Sequence, residues 1–220
     1  MTDPVSLDGV TFSLPDRAPG AGGVAPTAVL STAALRHNAT QARGGTDDVL
    51  AADAWGHGAT WVASVLSSMD LDATELDAAT LFGLPGSHAR PVMSLRGRAL
   101  GTKRLLRGEG VSYGYTHRAP RDTTVALVTG GYAQGVVRAL GNAASVAIDG
   151  RRHRIVGRVA MDVSVVDVES APIARGTEVI FFGDPAEGHP CLEEWTDATG
   201  WSAAEIVATV GVRAERRVAP

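Results

Sequence analysis

Val111-Ser112-Tyr113-Gly114, Gly131-Tyr132-Ala133-Gln134-Gly135 and Gly157-Arg158-Val159-Ala160-Met161-Asp162 are three short blocks that punctuate residues 111–162. Strand-like runs lie between them. Thr123 to Val128 is β-branched and apolar, Ala144 to Ile148 alternates, and Ile155 to Val168 is rich in valine with small or polar residues interposed; such short apolar or alternating runs read as strands. Asp149-Gly150 joins two of these runs and reads as a hairpin turn, because both central positions of a type I′ turn need positive φ. The stretch is therefore mostly β, and the remaining chain is read outward from it.

Upstream, the β pattern starts near Pro91, with Val92, Ser94 and Arg96 alternating against Met93 and Leu95, and continues through Leu105-Leu106. Downstream, Thr177 to Phe182 reads as a strand and Leu192 to Thr199 as a helix. A second helix starts at Ser202, where Ser202 and Glu205 form the Ser-x-x-Glu arrangement in which each side chain satisfies the other's exposed N–H. Nearer the N-terminus, Ala28-Val29-Leu30 suggests a short strand, followed by a helix capped by Ser31 or Thr32 and running to about Arg43. Val49-Leu50-Ala51-Ala52 is a second short apolar run, read as a strand that delivers the loop 53–58 to a helix over Ala59 to Ser67. Leu71, Leu76 and Leu81, in and just after the acidic stretch 70–77, suit a turn or two of amphipathic helix. Pro4, Pro15, Pro19 and Pro26 with Gly20, Gly22 and Gly23 mark residues 1–26 as a loosely ordered leader. The expected division is this leader, a strand and helix segment at 27–90, and a β domain at 91–220.

With 45% apolar residues in 220, the chain has the material for a sizeable core. Its net charge of −4, with both signs mixed along the sequence, gives no electrostatic reason for nucleic acid or anionic lipid as partner. The densest basic runs, Arg151-Arg152-His153-Arg154 and Arg213 to Arg217, read as a solvated hairpin end and a solvated chain end, with phosphate binding as the minor alternative. A single cysteine, Cys191, excludes an internal disulfide and a cysteine-built metal site, and the histidine spacing suggests no metal. No apolar run approaches the roughly 18 residues of a membrane span, and Met-Thr-Asp-Pro is no signal peptide start; a cytoplasmic protein is expected. Of the 20 basic residues, only Lys103 is a lysine.

The three blocks, together with Leu81-Phe82-Gly83-Leu84, Pro91-Val92-Met93-Ser94-Leu95, Arg138, Val166-Asp167, Gly176 to Val179 and Arg213, resemble the C-terminal β domain of alanine racemase, a pyridoxal-phosphate enzyme of cell-wall precursor supply. Leu35-Arg36-His37-Asn38 resembles that family's first helix. Ala52-Asp53-Ala54-Trp55-Gly56-His57-Gly58 resembles the loop that follows its cofactor lysine. The resemblance implies an α+β fold, mainly β: a racemase C-terminal-like β-barrel or sandwich domain with a truncated N-terminal β/α remnant. It is not a full TIM barrel, because a (β/α)₈ barrel needs about 250 residues and fewer than 30 separate Ser67 from Pro91.

The resemblance also assigns roles. Tyr113 matches the family's catalytic tyrosine, contributed across a dimer interface; Met161 matches the residue whose backbone N–H meets the substrate carboxylate; Tyr132 lies near substrate and cofactor. The Schiff-base lysine position is Ala51, and the phosphate-contacting aromatic is Trp55. Racemisation through pyridoxal phosphate needs a lysine to hold the cofactor and a second base on the other face of the substrate. The lysine also serves as the first base, and alanine can neither hold the cofactor nor take a proton. The expectation is a racemase-derived pseudoenzyme without bound cofactor, whose β domain serves for homodimerisation or for binding a partner or small carboxylate such as an amino acid. The alternative is an active pyridoxal-phosphate racemase in which Tyr113 works with Lys103 or with a lysine from another chain.

Overall fold

The computed structural model describes residues 4–7, 10–13 and 25–220, which form two compact units. One comprises residues 1–26 and 96–181, the other 27–95 and 182–220. In chain order, β1 (Pro4–Leu7) and β2 (Val10–Ser13) make an antiparallel pair. The other leader residues, 1–3, 8–9 and 14–24, lie outside the described residues. β3 (Thr27–Ser31) leads into α1 (Thr32–Ala39), α2 (Ala51–Trp55), α3 (Ala59–Ser67) and α4 (Ala78–Phe82). β4 (Met93–Leu105), β5 (Gly110–Val111), β6 (His117–Arg118), β7 (Thr123–Thr129), β8 (Ser145–Ile148), β9 (Arg151–Arg154), β10 (Val163–Asp167) and β11 (Glu178–Phe182) follow. α5 (Glu193–Thr199), α6 (Ala203–Arg213) and β12 (Glu215–Ala219) complete the chain. No strand lies between α3 and β4, so the described residues contain no (β/α)₈ barrel.

The first unit is built on the strand order β10-β7-β4-β11-β8-β9. β7 pairs on both edges, and all its residues except Thr124 are buried, which is why it reads as an apolar run and not an alternation. Asp149 and Gly150 take positive φ, 49° and 73°, and set the β8–β9 register of Ile148 against Arg151, as the hairpin signal requires. The two ends of the strand order meet at a single bridge, Ile155 to Val166, where the Val156 N–H donates to Val165 at 2.8 Å. The sheet thus curls on itself without a full ladder closing it. Its core gathers Leu105, Val111, Val125, Leu127, Val156, Ala160 and Val165. Residues Ile155 to Val168 were expected to be mainly extended; only Val163–Asp167 is a strand, because Gly157 at φ 74° turns the chain and 157–162 makes loop bonds instead.

In the second unit, α1 starts at Ser31, whose side chain accepts from the Ala34 N–H at 3.1 Å. It ends at Ala39, short of the expected Arg43. Asn38 explains the early stop: its carbonyl accepts the turn bonds from Gln41 and Ala42, and its buried carboxamide donates to Leu81 and Arg90 carbonyls and accepts from the Arg90 N–H. The Ser202–Glu205 capping box forms as read. β12 pairs in parallel with β3, Glu215 opposite Thr27 through Ala219 opposite Ser31. Phe182 meets Trp195 edge-on at 5.0 Å in the unit's core.

Leu127 is fully buried in β7, so Leu127→Ala is expected to lower unfolding free energy by about 2–5 kcal/mol, measured by urea denaturation with the denaturant slope unchanged.

Candidate functional site

In the first unit, the three glycine-bearing blocks are tied together through the loop 157–162. Ser112, fully buried at φ 61°, donates its hydroxyl to the Arg158 carbonyl at 2.6 Å. The Tyr132 N–H donates to Ala160 at 3.0 Å and the Ala133 N–H to Met161 at 2.9 Å. Gln134 bridges the same blocks, its amide donating to Asp162 at 2.7 Å while its carbonyl accepts from Gly131 at 3.0 Å. Any Cβ at Gly131 would overlap the Met161 carbonyl, so close backbone approach dictates glycine there.

Tyr113 opens the turn Tyr113–Tyr115 and is 52% exposed; Met161 is 55% exposed. The Tyr113 hydroxyl and the Met161 N–H have no hydrogen-bond partner among the described residues. Tyr132 is half-buried with the Arg138 guanidinium 4.1 Å over its ring, a cation–π contact. The three candidate residues therefore sit on segments bonded directly to one another. Arg158, beside Gly114 in the Tyr113 turn, and Arg138 add positive charge there; neither sequence spacing nor composition singled out that role.

Lys103, the lysine of the alternative reading, lies in the first unit. It sits in the β4–β7 ladder opposite Val125, half-exposed on an ordinary strand.

The second unit holds the loop 52–58, which the resemblance places after the family's cofactor lysine. Val49 to Ala52 is not the strand expected. Asp48 accepts from the Leu50 and Ala51 N–H groups and bends the chain. Ala52, Asp53, Ala54 and Trp55 then take φ of 48°, 58°, 53° and 52°, a left-handed turn continued by Gly56 at φ 82°. Ala51 stands exposed at its start. Asp53 holds the turn, accepting from the Ala59 N–H at 2.7 Å and pairing closely with Arg216, which also reaches the Gly56 carbonyl at 3.3 Å. The Ala59 N–H, then Arg216, keep the Asp53 carboxyl below its ordinary pKa. Arg216, read as part of a solvated chain end, is thus an internal clamp; the signal for it lies 163 positions from Asp53.

His57 is fully buried behind this turn, its Nδ1 3.0 Å from the Ala54 carbonyl and its ring stacked on Phe82 at 4.3 Å with 9° between planes. Its Nε2 has no partner among the described residues. Trp55 lies 6.0 Å from Phe82, tilted by 40°. Burial drives the His57 pKa from 6.5 to about 4. Among the described residues, no three His, Cys, Asp or Glu side chains are grouped to hold a metal, and no helix is long and apolar enough to cross a membrane.

The family described as "Alanine racemase, C-terminal domain" matches residues 92–218. The alanine racemase of Frankia casuarinae is 43% identical over 143 residues, 65% of this chain and 36% of that protein. That of Thermobifida fusca is 42% identical over 134 residues, 61% of this chain and 36% of that protein. The crystal structure of alanine racemase from D-cycloserine-producing Streptomyces lavendulae aligns with TM-score 0.61 and 28% identity, covering 76% of this chain and 50% of that one; the Streptomyces coelicolor enzyme aligns similarly, at 0.60. The chain spans about a third of the length of these curated relatives and half that of these solved chains.

The His57 result makes stability pH-dependent with a definite sign. Above pH 6.5 His57 is neutral in both states. Between 6.5 and about 4 the unfolded chain takes up a proton that the folded one does not, so stability falls, by on the order of 3 kcal/mol, and this loss is complete below the folded pKa. Urea midpoints across this range are expected to fall with pH in the wild type and to lose this component in His57→Gln.

Proposed function

The chain belongs to the alanine racemase family, and on that footing we propose that it is a racemase-derived protein without racemase chemistry, self-associating through its sheet unit and offering a small carboxylate site there. The observation that carries this reading is Ala51. In the position where the resemblance puts the cofactor lysine stands an exposed methyl group that can neither bind pyridoxal phosphate covalently nor take a proton from a substrate. Lys103, the chain's one lysine, is committed to a ladder position. The residues present at the loop therefore do not fit the cofactor as the family holds it.

What persists fits binding better than proton exchange. The unengaged Met161 N–H and the Tyr113 hydroxyl are a donor pair of the kind a carboxylate accepts from, on segments locked together by Ser112, Gln134 and the 132–133 amides. Arg158 and Arg138 supply the charge that favours an anion. Tyr113, Tyr115 and Met161 are also the large exposed apolar side chains of these segments, the character of a surface covered by a second copy. Carboxylate site and self-association thus draw on one surface, as they would where each protomer completes its partner's site.

Two experiments test this. Pyridoxal phosphate mixed with the protein and reduced with borohydride is expected to leave the intact mass unchanged; a stoichiometric adduct that disappears in Lys103→Ala overturns the pseudoenzyme reading. Sedimentation velocity at micromolar concentration is expected to show a dimer that Met161→Asp and Tyr113→Asp weaken at least about tenfold, since each buries a charge in the seam. A strictly monomeric wild type sinks the self-association.

A further inference from the structure

Where β9 and the end of β10 diverge beyond the Ile155–Val166 bridge, the first unit has a cleft of about 630 Å³. It shares Thr116 and His117 with the segment that carries Tyr113, but Tyr113, Tyr132 and Met161 do not line it. Arg121, Arg151, Arg152 and Arg154 line it against two carboxylates, Asp167 and Glu169. The run 151–154, read from sequence as a solvated hairpin end, is thus one wall of a cavity.

Several of these groups are engaged. Arg121 pairs with Glu169, and Arg154 donates to the Asn142 carbonyl at 2.7 Å. Asp167 accepts from the Thr123 hydroxyl at 2.6 Å and the Glu169 N–H at 3.0 Å. Others are not. The Arg151 side chain has no hydrogen-bond or ion-pair partner among the described residues. His153, 91% buried, and His117 each carry a buried Nε2 with no partner among the described residues, an arrangement costly enough that native proteins nearly always satisfy it. Burial lowers the His117 pKa, Asp167 opposing and Arg154 reinforcing that shift.

We propose that this cleft binds a phosphomonoester, its phosphate held by Arg151, His153 and His117. Four guanidiniums against two carboxylates leave an excess of two positive charges, matching the charge of about −1.5 to −2 on a phosphomonoester at neutral pH. The Arg151 guanidinium fork offers paired donors to its terminal oxygens, and the Nε2 atoms of His153 and His117, shielded from solvent as the side chains stand, complete the set by turning toward the cleft. The volume falls in the range of roughly 300–1,000 Å³ of small-molecule sites and exceeds what a bare phosphate fills. Pro120, Val156, Val168 and Ala171 line the remainder, suited to an organic group esterified to the phosphate. The site is independent of the carboxylate reading above.

The test is imidazole NMR of histidine-labelled protein at fixed pH, titrated with inorganic phosphate and with glycerol 3-phosphate. Saturable shifts of His153 and His117, with His37 unmoved and glycerol 3-phosphate the tighter ligand, are expected. Arg151→Gln removes a charge-assisted bond and should weaken binding about tenfold or more, whereas Arg107→Gln, outside the cleft, should not. Shifts that never saturate, or that weaken equally in the two variants, show diffuse ion attraction and overturn the site. Equal affinity for the two ligands overturns the phosphomonoester assignment. A fall in affinity with both imidazole signals unmoved overturns the role of the histidines.

Discussion

The sheet unit depends on how closely the backbone of 157–162 approaches its neighbours. Gly157, at φ 74°, packs on the Val111 carbonyl and Ser112; Gly141 packs on the Gly157 carbonyl; Gly131 packs on Met161. Side chains at these positions would push the strands apart. Asn142 completes the arrangement, its side-chain carbonyl accepting from the Gly157 N–H at 2.7 Å while its own N–H donates to Ile155 at 3.0 Å. A loop with no secondary structure must satisfy its polar groups individually, and these bonds do so while joining three segments far apart in sequence. Val111, Val156 and Ala160 anchor the same segments in the core. The exposed Tyr113 and Met161 are therefore mounted on rigid backbone, which is what a binding surface requires and what a proton-transfer site also requires. Rigidity alone does not choose between them.

Legibility followed the range of the interactions. Asp149-Gly150, the Ser31 cap and the Ser202–Glu205 box were readable because each is decided within about four residues, and β7 because burial on both faces leaves a continuous apolar run. The α1 terminus was misread, since Asn38 ends the helix by engaging Leu81 and Arg90, more than 40 positions away. Val49 to Ala52 was misread for a related reason: apolar residues suggested a strand, and Asp48 with a distant packing surface made a turn. The site residues Tyr113, Tyr132 and Met161 came from resemblance, not from periodicity. The structure adds the bonding that joins their segments, and two arginines, Arg138 and Arg158, that no local pattern marks. The run Arg151 to Arg154 had the right composition, but its meaning depended on the sheet curling to bring Asp167 and Glu169 opposite.

The left-handed turn at 52–55 has its own energetic logic. Four non-glycine residues in that conformation cost roughly 4–8 kcal/mol, a strain that persists only when surroundings over-determine it. Here they do. Gly56 lies against Val207 and Ala208 of α6, and Gly211 lies against Gly56 so closely that neither tolerates a side chain. Asp53 ties the turn to Ala59 on one side and Arg216 on the other. His57 fills the space behind it, neutral and stacked on Phe82.

Such strain usually invites a functional explanation, and in a lysine-bearing loop the explanation would be positioning of the lysine. On the proposed reading Ala51 removes that purpose, and the turn is held by what it does for the unit itself. It does two such things. It lets α6 approach Gly56 at backbone contact, sealing Ile206, Val207 and Val210 against the helices. It also turns Asp53 toward the C-terminal strand, so that Arg216 in β12 pairs with it while β12 is laddered to β3. Replacing Asp53 would leave the turn's cost in place and remove its counterweight, loosening β12 along with the loop. The strained loop thus reads as a structural joint between α6, β12 and the helices of the second unit.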